Sequence, residues 1–150
     1  MRSRARVRNV VRATLAAITA TGVLAAYSVT PASARQESWY HNGSEMTWTS
    51  LLGWRQVIKY REPREEVGEK GAHAGSPFFS GWRYGNRLYG RARTFRAGCA
   101  APFAYKVRGI VSEDRTRAVL HGLSPIIEDC RIVGYRAFGR DATLVLIKMS

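Results

Sequence analysis

An all-β fold follows from three features of this sequence. Short runs of β-branched and aromatic residues alternate with Gly, Pro, Asn and Asp. No window keeps apolar residues at i, i+3, i+4 and i+7 for three turns, so no amphipathic helix is expected. One segment, FFSGWRY-GN-RLYGRARTF, reads as a hairpin around Gly85-Asn86, a pair suited to a two-residue turn. The expected architecture is a small antiparallel meander of about eight strands, closed into a barrel or folded as a sandwich, with one disulfide.

The first element is a leader. Residues 1–12 carry five arginines and no acid, Ala13 to Val29 is uncharged, and Pro31 leads into Ala32-Ser33-Ala34. Basic, apolar, then small-x-small is the order of a signal peptide, which predicts a segment 1–34 cut between Ala34 and Arg35, and one mature domain over 35–150. The uncharged run is 17 residues, diluted by three threonines and a glycine, which disfavours an uncleaved anchor. No Arg-Arg pair marks a folded-export route, and no Cys follows the cut to carry a lipid. The expected location is periplasmic or secreted, with no integral membrane segment after cleavage.

Removal of the leader changes the charge argument. The whole chain has a formal charge of +13, but five of its 24 basic residues lie in 1–34, which leaves 19 against 11 acids, or +8. Both cysteines, Cys99 and Cys130, lie in the mature part, and an even count in an exported chain reads as a disulfide. Neither has a histidine close in sequence, so a metal site is not expected.

Strands are predicted near 46–50, 55–61, 77–84, 87–96, 104–111, 116–121, 130–137 and 142–148. The polar, glycine-rich stretch from Glu62 to Pro77 is the longest loop, either functional or a solvated connection. In 87–96, alternation places Leu88, Gly90, Ala92 and Thr94 on an inner face, and Tyr89, Arg91, Arg93 and Phe95 on an outer one. The last strand, ATLVLIK, is apolar on both faces, as suits a strand covered on both sides or lying in an interface.

Candidate acid–base groups are few. His41, His73 and His121 each sit at a turn, loop or strand end, and no nucleophile motif accompanies them. The neighbouring acids Glu65-Glu66, Glu113-Asp114 and Glu128-Asp129 read as solvated turns, since adjacent strand residues point to opposite faces. A pair assembled in space, such as Glu45 with Asp141, is the remaining route to a hydrolase. The expectation is a non-enzymatic protein with no cofactor.

The strongest non-structural signal is basic–aromatic interleaving: Trp82, Arg83, Tyr84, Arg87, Tyr89, Arg91, Arg93, Phe95 and Arg96 fall within fifteen residues. Arginine forks bind phosphate and carboxylate, and aromatic rings stack on sugars or bases. Tyr89, Arg91, Arg93 and Phe95 form the candidate binding face, for an anionic envelope polymer or another envelope protein rather than a specific nucleic acid. The alternative is a hairpin whose arginines are merely solvated.

Several motifs carry a resemblance. HNGSEM at 41–46, YREPR at 60–64, FFSGWRYGNRLYGRARTFRAGC at 78–99 and YKVRG at 105–109 resemble, as a set, a family of small exported bacterial β domains of no established activity. Its pattern is H-N-G-S-x-M, Y-x-x-P-R, G-x-A-x-x-F, Cys, Y-x-V-x-G and a second Cys. The resemblance covers about 41–137 and implies a shared β fold and disulfide, but no reaction. A looser similarity links the chain to small exported eight-stranded lysozyme inhibitors. A charge of +8 departs from what contact with a basic enzyme requires.

Overall fold

The computed structural model describes residues 34–150; most of the predicted leader, 1–33, lies outside them. Ten strands and one short helix run in the order β1 (Arg35–His41), β2 (Ser44–Leu51), β3 (Arg55–Glu62), α1 (Glu65–Gly68), β4 (Pro77–Tyr84), β5 (Arg87–Thr94), β6 (Phe103–Val111), β7 (Arg117–Gly122), β8 (Ser124–Glu128), β9 (Arg131–Arg136) and β10 (Thr143–Lys148). Eight of them close an antiparallel barrel in the order β1-β10-β7-β6-β5-β4-β3-β2, while β8 and β9 form a separate hairpin. The fold is a barrel and not a sandwich.

Tight turns set the register. Asn42 and Gly43 both have positive φ, the geometry of a type I′ turn, and join β1 to β2. Gly85 alone is positive in the Gly85-Asn86 turn, which suits a type II′ turn between β4 and β5. The predicted turn at Glu113-Asp114 lies between β6 and β7, where the Asp114 carboxylate accepts from the Thr116 backbone N–H and hydroxyl.

An eight-stranded barrel is just wide enough to be filled by side chains. Met46, Ile58, Phe79, Leu88, Ala92, Ala118, Leu120 and Leu146 are fully buried inside it. The predicted inner face of 87–96 holds for Leu88 and Ala92. Gly90 faces Gly81 across the β4–β5 ladder, and a Cβ on Gly90 would meet the Phe79 ring and Gly81 backbone at 2.8 Å. The two glycines thus make room for the Phe79 ring. In β10, Leu144 and Leu146 point inward, whereas Val145 is half-buried and Ile147 is 43% exposed.

The barrel closes between β1 and β10, where only Trp39↔Lys148 and Tyr40↔Ile147 are in register. Two polar contacts reinforce this seam: Lys148 Nζ lies 3.0 Å from Glu37 Oε1, and the Met149 N–H donates to the Ser38 carbonyl.

Membership of the barrel differs from the sequence-based expectation. The predicted strand 130–137 is β9, outside the barrel, and its place among the eight is taken by β1, which had not been predicted. β8 was also unforeseen, and the loop from Glu62 to Pro77 contains the single turn of α1. Short turns close one end of the barrel. At the other end gather the long connections 63–76, 95–102 and 123–142. The disulfide Cys99–Cys130 is formed there, with Cα atoms 5.5 Å apart, and ties loop 95–102 to the β8–β9 turn.

Candidate functional site

Two basic surfaces result, one convex and one concave. The convex surface is the outer face of β4, β5 and β6. Register sets Trp82 beside Tyr89 and Tyr89 beside Arg108; the next outward row runs Ser80, Arg91, Lys106; Tyr84 adjoins Arg87. Arg87, Arg91, Lys106 and Arg108 are all exposed. The rings between them remain open, with Trp82 45%, Tyr84 68% and Tyr89 42% exposed. Among the described residues, no carboxylate pairs with any of these four cations.

This surface corrects the candidate face read from sequence. Tyr89 and Arg91 point outward as expected. Arg93 is half-buried and donates to Ser80 Oγ at 3.3 Å. Phe95 does not belong to the outer face: β5 ends at Thr94, and the Phe95 ring packs edge-on to Tyr60, centroids 5.9 Å apart, against the core. Side-chain alternation holds only while the chain stays extended, so counting in twos fails one residue past the strand. Arg83 also leaves the group, since its Nε donates to the Gly85 carbonyl at 2.7 Å. Lys106 and Arg108 join it from β6, which sequence proximity alone did not suggest.

The concave surface is a cup of about 450 Å³ at the end where the long connections meet. His41, Tyr60, Phe78, Tyr105 and Leu144 line its base; Arg93, Thr94, Phe95 and Arg96 form one wall, and the β8–β9 hairpin with Arg140 and Asp141 another. Six cations (Arg64, Lys70, Arg93, Arg96, Arg136 and Arg140) face two acids, Glu128 and Asp141. Among the described residues, Arg64 alone of the six has an ion-pair partner, Glu66 at 3.0 Å.

Most polar groups of the cup have defined partners. Tyr105 donates its hydroxyl to the Asp141 carbonyl, and Thr94 donates to Asp141 Oδ2 at 3.3 Å. Ser44, buried, accepts from the Arg64 N–H at 2.9 Å. His41 Nδ1 lies 2.8 Å from the Val145 carbonyl, which can only accept, so Nδ1 carries the proton and Nε2 is left as an acceptor. Burial lowers the pKa of His41, against the raising effects of the Val145 carbonyl and Asp141 and with the help of Arg64.

That direction gives a test of pH dependence. With the folded pKa below the unfolded value of about 6.5, the unfolded chain binds more protons on acidification. Stability on this account falls as pH drops below about 6.5 and is recovered as pH rises. Thermal melts of His41→Gln are expected to show a shallower fall in Tm between pH about 7.5 and 5.5 than the parent. An equal slope in both would assign the dependence elsewhere.

The other acid–base candidates disperse. His73 bonds locally to the Ala74 carbonyl, and His121 lies on the outer face against Thr143. Glu45 leans toward Arg61 at 3.9 Å and is not among the residues that line the cup with Asp141. His41 and Asp141 do share the cup, each bonded to other groups. Among the described residues, no three His, Cys, Asp or Glu side chains converge as metal ligands.

A second concavity of about 370 Å³ lies at the opposite end of the barrel. It is floored by Trp39 and Trp48, whose ring centroids are 4.6 Å apart. Its polar groups are mutually engaged: Trp48 Nε1 donates to Gln56 Oε1 at 2.7 Å, and Gln56 Nε2 donates to Ser50 Oγ. It reads as a plug that seals the core.

The β8–β9 hairpin carries an apolar surface. Val133 and Tyr135, two apart on β9, are each 56% exposed, and Phe138 just beyond is 75% exposed. Comparison of the chain with protein-family models, with curated proteins and with solved structures finds no match.

Proposed function

We propose that this protein is an exported, non-enzymatic binding module that holds an anionic envelope polymer on the convex face of β4–β6. The observation that carries the reading is the row of unpaired cations Arg87, Arg91, Lys106 and Arg108 interleaved with exposed Trp82, Tyr84 and Tyr89. The planar guanidinium fork meets phosphate or carboxylate through two hydrogen bonds at once, and the rings offer flat surfaces for sugars. An outer surface so charged is unlike the apolar band of a membrane-spanning barrel. Among the described residues no helix is long and apolar enough to cross a membrane.

Export is supported by the leader pattern and by the disulfide. The motif set supports, as part of this proposal, kinship with the small exported β domains it resembles. Of its motif residues, Met46, Ala92 and Val107 lie in the core, and His41, Asn42, Ser44, Tyr60, Arg64, Phe95 and Tyr105 lie around the cup. A hydrolase is less well supported, because no side-chain nucleophile is hydrogen-bonded to His41. Retention on an immobilised phosphate-rich wall polymer, with release by rising salt, is the direct test. Retention on nucleic acid of equal charge density with none on the wall polymer would overturn the choice of ligand.

A protein partner is the second reading, favoured by Val133, Tyr135 and Phe138. A photo-crosslinker at Val133 in the exported protein is expected to capture one discrete partner, and Phe138→Asp to remove it. Diffuse labelling that Phe138→Asp leaves unchanged would count against it.

A further inference from the structure

The cup has a property that the convex face lacks: nearly buried hydrogen-bonding groups with nothing to bond. Tyr60 is only 6% exposed, yet its hydroxyl has no partner among the described residues. The same is true of His41 Nε2, whose sister nitrogen is committed to the Val145 carbonyl. No fully sealed side-chain nitrogen or oxygen among the described residues lacks a partner. The two unbonded atoms are therefore open to the cup. Asp141 has one carboxylate oxygen bonded to Thr94 and the other free. So the base presents acceptors on His41 and Asp141 and a hydroxyl on Tyr60, and asks for a ligand rich in O–H donors.

The rim asks for something different. Lys70, Arg93, Arg96, Arg136 and Arg140 stand there without acidic partners among the described residues, an excess of positive charge larger than one carboxylate would answer. Phe95 supplies an apolar wall between rim and base. Hydroxyl donors at one end, a multiply charged anion at the other and a flat body between them describe one chemical class. We propose that the cup binds a phosphorylated sugar, with its hydroxyls on Asp141, His41 Nε2 and Tyr60 and its phosphate among the rim arginines. This site is separate from the convex face and does not depend on it. A cup of about 450 Å³ is within the range of small-ligand sites.

The test is titration calorimetry on the disulfide-intact exported protein with a panel of hexose and pentose monophosphates. The matched free sugars and inorganic phosphate serve as the other arms. At least one sugar phosphate is expected to bind about tenfold or more tightly than both phosphate and its own free sugar. Tyr60→Phe, which removes one hydroxyl from an otherwise unchanged ring, is expected to weaken that ligand by about three- to tenfold. The exposed pair Arg96→Gln and Arg140→Gln is expected to abolish the preference for the phosphorylated form over the free sugar. Replacement of Arg87, Arg91, Lys106 and Arg108 by Gln is expected to leave this binding unchanged. The proposal is overturned if no panel member exceeds inorganic phosphate, or if Arg96→Gln/Arg140→Gln keeps the preference. It is equally overturned if Tyr60→Phe, melting like the parent, binds as well as the parent.

Discussion

Combined replacement of Arg87, Arg91, Lys106 and Arg108 by Gln is expected to weaken retention on an anionic wall polymer by about 30- to 1,000-fold. Each exposed charge then contributes about 0.5–1 kcal/mol, the upper part of the range for solvated ion pairs, and four contribute about 2–4 kcal/mol. Each side chain is exposed and, among the described residues, unpaired, so its loss removes no ion pair. Folding stability is expected to change by less than about 0.5 kcal/mol per site. Elution of the parent is expected to move steeply with salt and that of the variant hardly at all, because screening acts on these charges. Arg91→Gln alone is expected to give part of the effect. Arg93→Gln is expected to give less, since Arg93 is half-buried and engaged with Ser80. Unaltered retention of the fourfold variant would mean that the arginines of β5 only solvate the barrel.

Replacement of Cys99 and Cys130 by Ser is expected to lower the unfolding free energy by about 3–4 kcal/mol. The bond closes a loop with a sequence separation of 31, for which the chain-entropy account gives about 3.7 kcal/mol. The structure adds where the effect begins. Cys130 lies at the tip of the β8–β9 hairpin, in a turn where Asp129 and Cys130 both have positive φ, a conformation that costs non-glycine residues energy. The hairpin is not hydrogen-bonded into the barrel sheet, so the covalent tie is its main anchor at that end. Hydrogen exchange is expected to rise first in β8 and β9 of the double variant, with the barrel strands protected until global unfolding. Equal denaturant midpoints for parent and variant would show that the bond contributes nothing to stability.

Local rules made part of this molecule legible. The hairpin 77–84 and 87–94 could be read because alternation and a Gly-Asn turn both act within a few residues. The disulfide followed from an even cysteine count behind an export-type leader, and the inward Leu88 and Ala92 from a period of two. The same rules failed where the decisive neighbour is distant. β1, RQESWYH, carries too few apolar residues to announce itself, and it becomes a strand because β2 and β10 take up its backbone hydrogen bonds. Residues 131–136 look like any other strand; closure of the eight-membered ring by β1 leaves them outside. Phe95 turns inward because the chain leaves the sheet after Thr94, and no periodicity marks that point.

What the sequence by itself determined is the class: an all-β chain with one disulfide, a net positive charge and a basic, aromatic hairpin. Only the tertiary structure decided which of those charges act together. Closing the ring sets Lys106 and Arg108 beside Arg91 and Tyr89, and brings His41, Tyr60, Arg96 and Asp141 from four separate segments to one cup. The reason is physical: side-chain alternation and turn chemistry act between residues a few positions apart, whereas a binding surface depends on register between strands and on where long connections come to rest.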